Sequence, residues 1–164
     1  MGLTKKGLLK RLQGSITANE WEAIAHDEEL SISGFNRRVL SELRDADIEE
    51  DGGLREDLVS GLYKILERFL KENLSDKPQG HKWVIISCLY LAFIVERPMH
   101  PIESVGIKVS EVDGQTVYEC PVKENGEATT CHYCVCGRMS NYEIAKRRVE
   151  KDFLKYDPKV PARP

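Results

Sequence analysis

At 164 residues the chain is long enough for one domain with its own hydrophobic core, so neither disulfides nor a metal are required merely to fold it. Its 41% hydrophobic and 31% charged residues exclude a disordered chain, and a net charge of −3 excludes a molecule that seeks polyanions with its whole surface. The charge is uneven, because residues 138–164 hold eight Lys/Arg against four acids and leave −7 on residues 1–137.

The basic, amphipathic start MGLTKKGLLKRLQG lacks the roughly 7–15-residue apolar stretch of a signal peptide. Thr4 is placed to cap a first helix through about Leu12. Thr17-Ala18-Asn19-Glu20 fits a capping box and opens a second helix towards about Leu30. A third helix, from Ser33 to about Ala46, carries Phe35, Val39, Leu40 and Leu43 on one face. The acids from Asp45 to Asp51 have no fixed spacing and read as a solvated face.

Gly52-Gly53 interrupts the pattern. Leu54, Leu58, Leu62, Ile65, Leu66, Phe69 and Leu70 then recur at helical spacing for five turns, as on an amphipathic helix. Lys77-Pro78-Gln79-Gly80 is a turn. His81 to Arg97 is apolar nearly all round, which predicts the central helix of a bundle, with a strand as the alternative because of its β-branched content. Its most apolar part, Trp83 to Val95, has 13 residues, short of the ~20 that span a bilayer.

The character changes after Pro98 and Pro101. Ile107–Glu111 and Thr116–Cys120 alternate on either side of Asp113-Gly114, which predicts a β-hairpin. Ser140-Asn141-Tyr142-Glu143 forms a second capping box ahead of a C-terminal helix, about 141–156, with Ile144, Ala145, Val149, Phe153 and Leu154 facing the body. Residues 157–164, with three prolines, read as a loose tail. The fold expected is mainly α (α+β). It is a helical bundle over about 4–97, a hairpin and cysteine module over about 105–137, and the last helix, in one domain spanning 1–156.

Four of the five cysteines, Cys120, Cys131, Cys134 and Cys136, fall within seventeen positions. In a reducing cytoplasm, where this chain is expected, such crowding points to metal or redox chemistry rather than structural disulfides. Polarisable thiolates suit soft metals, and four of them complete a tetrahedral or cluster-holding shell. Zinc sites favour two separated pairs, whereas three close cysteines and a remote fourth fit iron–sulfur ligation better. An iron–sulfur cluster, 4Fe–4S ahead of other forms, or zinc is therefore the expected cofactor.

The dipole of the last helix would favour the negative charge of such a centre. Cys131-His132-Tyr133-Cys134 also has the C-x-x-C form of a dithiol enzyme, but no βαβ unit precedes it and two cysteines stay unexplained. Cys88 reads as a core residue. His132 reads as solvent-facing or hydrogen-bonded beside the centre, with ligation as the alternative. His100 reads as part of a rigid connector, with a role near the centre as the alternative. His81 and His26 read as helix-terminal or surface residues. No Gly-rich phosphate loop, nucleophile elbow or H-E-x-x-H is present. The basic face of the last helix reads as a solvated face, and the missing aromatic–basic interleaving counts against a zinc-stabilised nucleic-acid module.

Glu96-Arg97-Pro98-Met99-His100-Pro101, the short hairpin, Cys120-Pro121-Val122-Lys123 and Cys131-x-x-Cys134-Val135-Cys136 together resemble an uncharacterised protein family of methanogenic archaea, a domain of unknown function. The resemblance covers residues 55–137. It implies no enzyme activity and an accessory role around methanogenesis. The concrete partner it implies is the membrane-bound, sodium-pumping methyltransferase that passes a methyl group to coenzyme M, met at its cytoplasmic side, with the cluster as a redox or oxygen sensor.

Overall fold

The computed structural model describes residues 2–26, 33–76, 78–122 and 129–136. The C-terminal helix expected over 141–156, the tail 157–164 and the last residues of the second helix, 27–30, lie outside them. The described part is mainly α with one two-stranded sheet: α1 Lys5–Gly14, α2 Ala18–His26, α3 Gly34–Asp45, α4 Glu56–Asn73, α5 His81–Leu89, α6 Ile102–Val105, β1 Lys108–Val112 and β2 Gln115–Glu119. Among these residues no helix is long and apolar enough to cross a membrane.

The helix starts follow from local chemistry. The Thr4 hydroxyl accepts from Gly7 N at 3.0 Å, and the Ser33 hydroxyl accepts from Asn36 N at 3.1 Å. At the capping box, Glu20 N donates to Thr17 Oγ1 (3.2 Å) while Glu20 Oε1 accepts from Thr17 N (3.0 Å). Other helix ends are satisfied from far along the chain. Gln13 donates to the carbonyls of Leu43 and Ala46 at the end of α3, and Arg37 donates to Ile24 O near the end of α2. Asp51 is exposed, as read, and its Oδ1 also accepts from Lys6 N (2.9 Å) in the first turn of α1. A carboxylate suits that position because the first-turn amides point out unpaired. Beside it, Gly52-Gly53 pairs with the N-terminal segment through Lys5 N to Gly52 O and Leu54 N to Leu3 O, each 2.8 Å.

Helix α5 runs through the centre. Every residue from Ile85 to Ile94 is buried, so the helical reading holds over the strand alternative. It packs on α3 and α4, and its continuation packs on α1. On α4 the buried stripe is Val59, Leu62, Leu66 and Leu70; Phe69, expected on that face, is 52% exposed. The spacing of Phe69 fits the stripe only at its edge, where no helix among the described residues covers it.

Over Tyr90–Ile94 the helix widens into a π turn, with Val95 N bonding Tyr90 O at 3.1 Å. Glu96 then adopts φ +50°, and Arg97 N reaches back to Leu91 O at 2.9 Å. This is a Schellman-like closure one residue wider than usual, as the extra residue of the π turn requires. The hairpin pairs Lys108 with Glu119 through Val112 with Gln115, around Asp113 (φ +53°) and Gly114 (φ +77°). Two successive positive φ angles match the strand twist, and glycine adopts them at no steric cost. Ile107 and Cys134 belong to the same hydrophobic cluster as the helices, with Tyr118 and Cys120 packed against it.

Candidate metal centre

Strand β2 ends at Glu119 and hands the chain to half-buried Cys120. The other three cysteines come from a tight loop. A single 3-10 turn, Thr130–His132, brings Tyr133 N (3.0 Å) and Cys134 N (3.3 Å) to one carbonyl, Thr130 O. Cys131 is half-buried, while Cys134 and Cys136 are 5% and 3% exposed.

The loop is seated on α4 through Tyr133. A Cβ at Gly61 would lie 2.5 Å from the Tyr133 hydroxyl and 3.3 Å from Cζ, so only glycine leaves room for the ring. On its other side the loop meets the Pro98–Pro101 junction. The Cys134 sulfur accepts the backbone N–H of Met99 and of Cys136, and the two thiols bond each other. That bond holds Cys134 below the ordinary thiol range against the effect of burial, helped by the two N–H groups and the nearby charge of His100. The same bond pushes Cys136 up, with burial and the charges of Cys134, Cys120 and Cys131 adding to it.

The charges of Cys120, Cys131 and Cys134 all reach Cys136, and all five cysteines are free thiols. Among the described residues no group of three or more His, Cys, Asp or Glu side chains stands close enough to hold an ion. The donor chemistry nonetheless fits a soft cation. Two thiolates side by side in a buried pocket repel unless positive charge separates them, and N–H···S bonds are the means by which a protein tunes such a ligand. Cys120, Cys131, Cys134 and Cys136 are the residues that would hold an iron–sulfur cluster or zinc.

His132 is exposed, its ring edge-on to Tyr133 at 5.1 Å. His100 is exposed and within electrostatic reach of Cys134. Cys88 is buried on α5, its thiol pushed up to about 12 by burial and by the charge of Cys134. Proximity of Cys88 to the loop and the roles of Gly61, Tyr133 and the Met99 amide carry no sequence signal of their own.

A helical body, a hairpin followed by a cysteine and a thiol-bearing loop seated on one helix define a mainly α, α+β protein. The chain belongs to the family described as an uncharacterised protein conserved in archaea (DUF2115), whose profile matches residues 29–139. It is similar to a UPF0305 protein of Methanocaldococcus jannaschii, 31% identical over 112 residues, which make up 64% of this chain and 64% of the relative. The chain therefore spans just under two thirds of that relative's length. No solved structure matches.

Proposed function

We propose that this chain is a non-enzymatic accessory protein whose four-cysteine centre holds a metal and sets the shape of the loop between α4 and the Pro98–Pro101 junction. The observation that carries the reading is the pairing of buried Cys134 and Cys136 in one loop, with Cys131 ahead of them in C-x-x-C-x-C spacing and Cys120 directly after β2. An iron–sulfur cluster of the 4Fe–4S type is the first candidate and zinc the second. An enzyme using an activated thiol fits less well, because Cys134, the thiol with the lowered pKa, is 5% exposed.

Loss of a cluster to oxygen would release three ligands from the loop at once and change the surface beside Tyr133, which is how a redox or oxygen response would reach a protein partner. The family resemblance, together with a relative from Methanocaldococcus jannaschii, supports the sodium-translocating methyltransferase complex of methanogenesis as that partner, approached from the cytoplasmic side. The test is iron, sulfide and zinc analysis with a visible spectrum on protein purified without oxygen. Iron and sulfide in matching amounts support the sensor, stoichiometric zinc leaves a structural centre, and the absence of all three removes the metal reading. Co-purification with the methyltransferase before and after exposure to air tests the partner.

A further inference from the structure

The Arg97–Pro101 stretch that meets the cysteine loop also borders a hollow. There it lines a cavity of about 570 Å³ together with α3 and α6. This is within the size range of small-molecule sites, which runs from about 300 to 1,000 Å³. Phe35 and Ile102 give the cavity apolar walls, and Arg38, Glu42, Arg97, His100 and Glu103 give it charge.

The charges are not equally engaged. The Arg97 Nη2 pairs with Glu42, and the same carboxylate takes the hydroxyl of buried Tyr90. Glu42 is thereby satisfied. Arg97 keeps one donor over: its Nε is buried and meets no acceptor among the described residues. Arg38 stands one helical turn before Glu42 on α3, exposed and outside every ion pair among the described residues. The backbone that presents Arg97 is unusual in the same place, with the π turn and the positive φ of Glu96 directly before it.

We propose that this cavity binds a small organic acid, its carboxylate or phosphate held by Arg38 and the exposed part of the Arg97 side chain, its apolar body against Phe35 and Ile102. The assignment stands without the metal reading, since no cysteine lines the cavity. The test is calorimetric titration of the full chain with phenyl phosphate, benzoate and phenol. One of the two acids should saturate a single site per chain, with phenol about tenfold weaker or worse, since the charge-assisted bonds are lost. The stronger acid identifies the headgroup. Arg38→Gln, on an exposed residue, and Arg97→Lys, which keeps the charge facing Glu42 but removes the planar guanidinium fork, should each weaken the acid about tenfold while the melting curve stays cooperative. Absence of saturable binding by both acids, equal binding of phenol, or unchanged affinity in either variant would overturn the assignment.

Discussion

Gly61→Ala sets two effects of known sign against each other. In an ordinary exposed helix interior the change gains about 1 kcal/mol, because alanine loses less backbone entropy. Here the new Cβ would stand 2.5 Å from the Tyr133 hydroxyl, 3.3 Å from Cζ and 3.5 Å from Cε1. Relieving the closest of these means withdrawing the ring edge by about 1 Å, and overpacking of that kind costs about 1–3 kcal/mol. The expected net change is thus between none and a loss of about 2 kcal/mol. Tyr133 lies between Cys131 and Cys134, so its retreat also shifts the loop thiols. Denaturant unfolding gives the stability, and the rate of labelling by an aromatic disulfide, on metal-free protein, reads the loop. Labelling of the loop cysteines should quicken. Adding Tyr133→Phe removes the atom at 2.5 Å and should recover part of the loss, a coupling that a double-mutant cycle resolves. A full gain of about 1 kcal/mol from Gly61→Ala alone, with labelling rates unmoved, would refute the seating of Tyr133 on α4.

Ser33→Ala removes the N-cap of α3 and should cost about 1 kcal/mol in denaturant unfolding. Leu40→Ala, at a fully buried position, should cost about 2–5 kcal/mol by the same measurement. Cys88→Ala should lower stability by about 1–2 kcal/mol yet leave metal content unchanged, whereas Cys134→Ala should reduce the metal bound per chain. For Glu20, burial works to raise the carboxyl pKa, but the bond from Thr17 N–H and the Lys82 ammonium outweigh it and hold it below the ordinary range. The unfolded carboxylate therefore takes up its proton first as pH falls. Stability from this group is present above the ordinary carboxylate range and is lost through the lowered one. Melting of Glu20→Gln should accordingly lie below that of the parent at neutral pH and converge with it in acid.

Features with local causes could be read from the chain. Thr4, the Thr17–Glu20 box and Ser33 open helices through bonds made three residues away. Asp113-Gly114 turns the hairpin, with the strands displaced by one residue from the expected Ile107–Glu111. Features made across the chain could not. Asp51 bonding Lys6, Gln13 closing α3 and Phe69 left uncovered depend on which helices become neighbours, and that is decided by the core. The π turn escaped because apolar periodicity is silent where every position is buried, and α6 because four residues, none of them buried, are too few to show a period. At the centre, spacing nominated the four cysteines, but the Met99 amide that bonds Cys134 lies 35 positions upstream and has no side-chain signature.

The π turn also fixes a phase. An α-helix advances about 100° per residue, so the extra residue within Tyr90–Ile94 rotates everything after it by that angle relative to α5. Arg97 faces Glu42, and Met99 faces Cys134, on the far side of this rotation. Deleting one residue between Leu91 and Phe93 would restore an unbroken α-helix and favour that segment by itself. It would also swing both junction contacts off their targets in a single step. The length of this helix therefore acts as a dial: one residue of it sets the bearing of the cavity and the cysteine loop together.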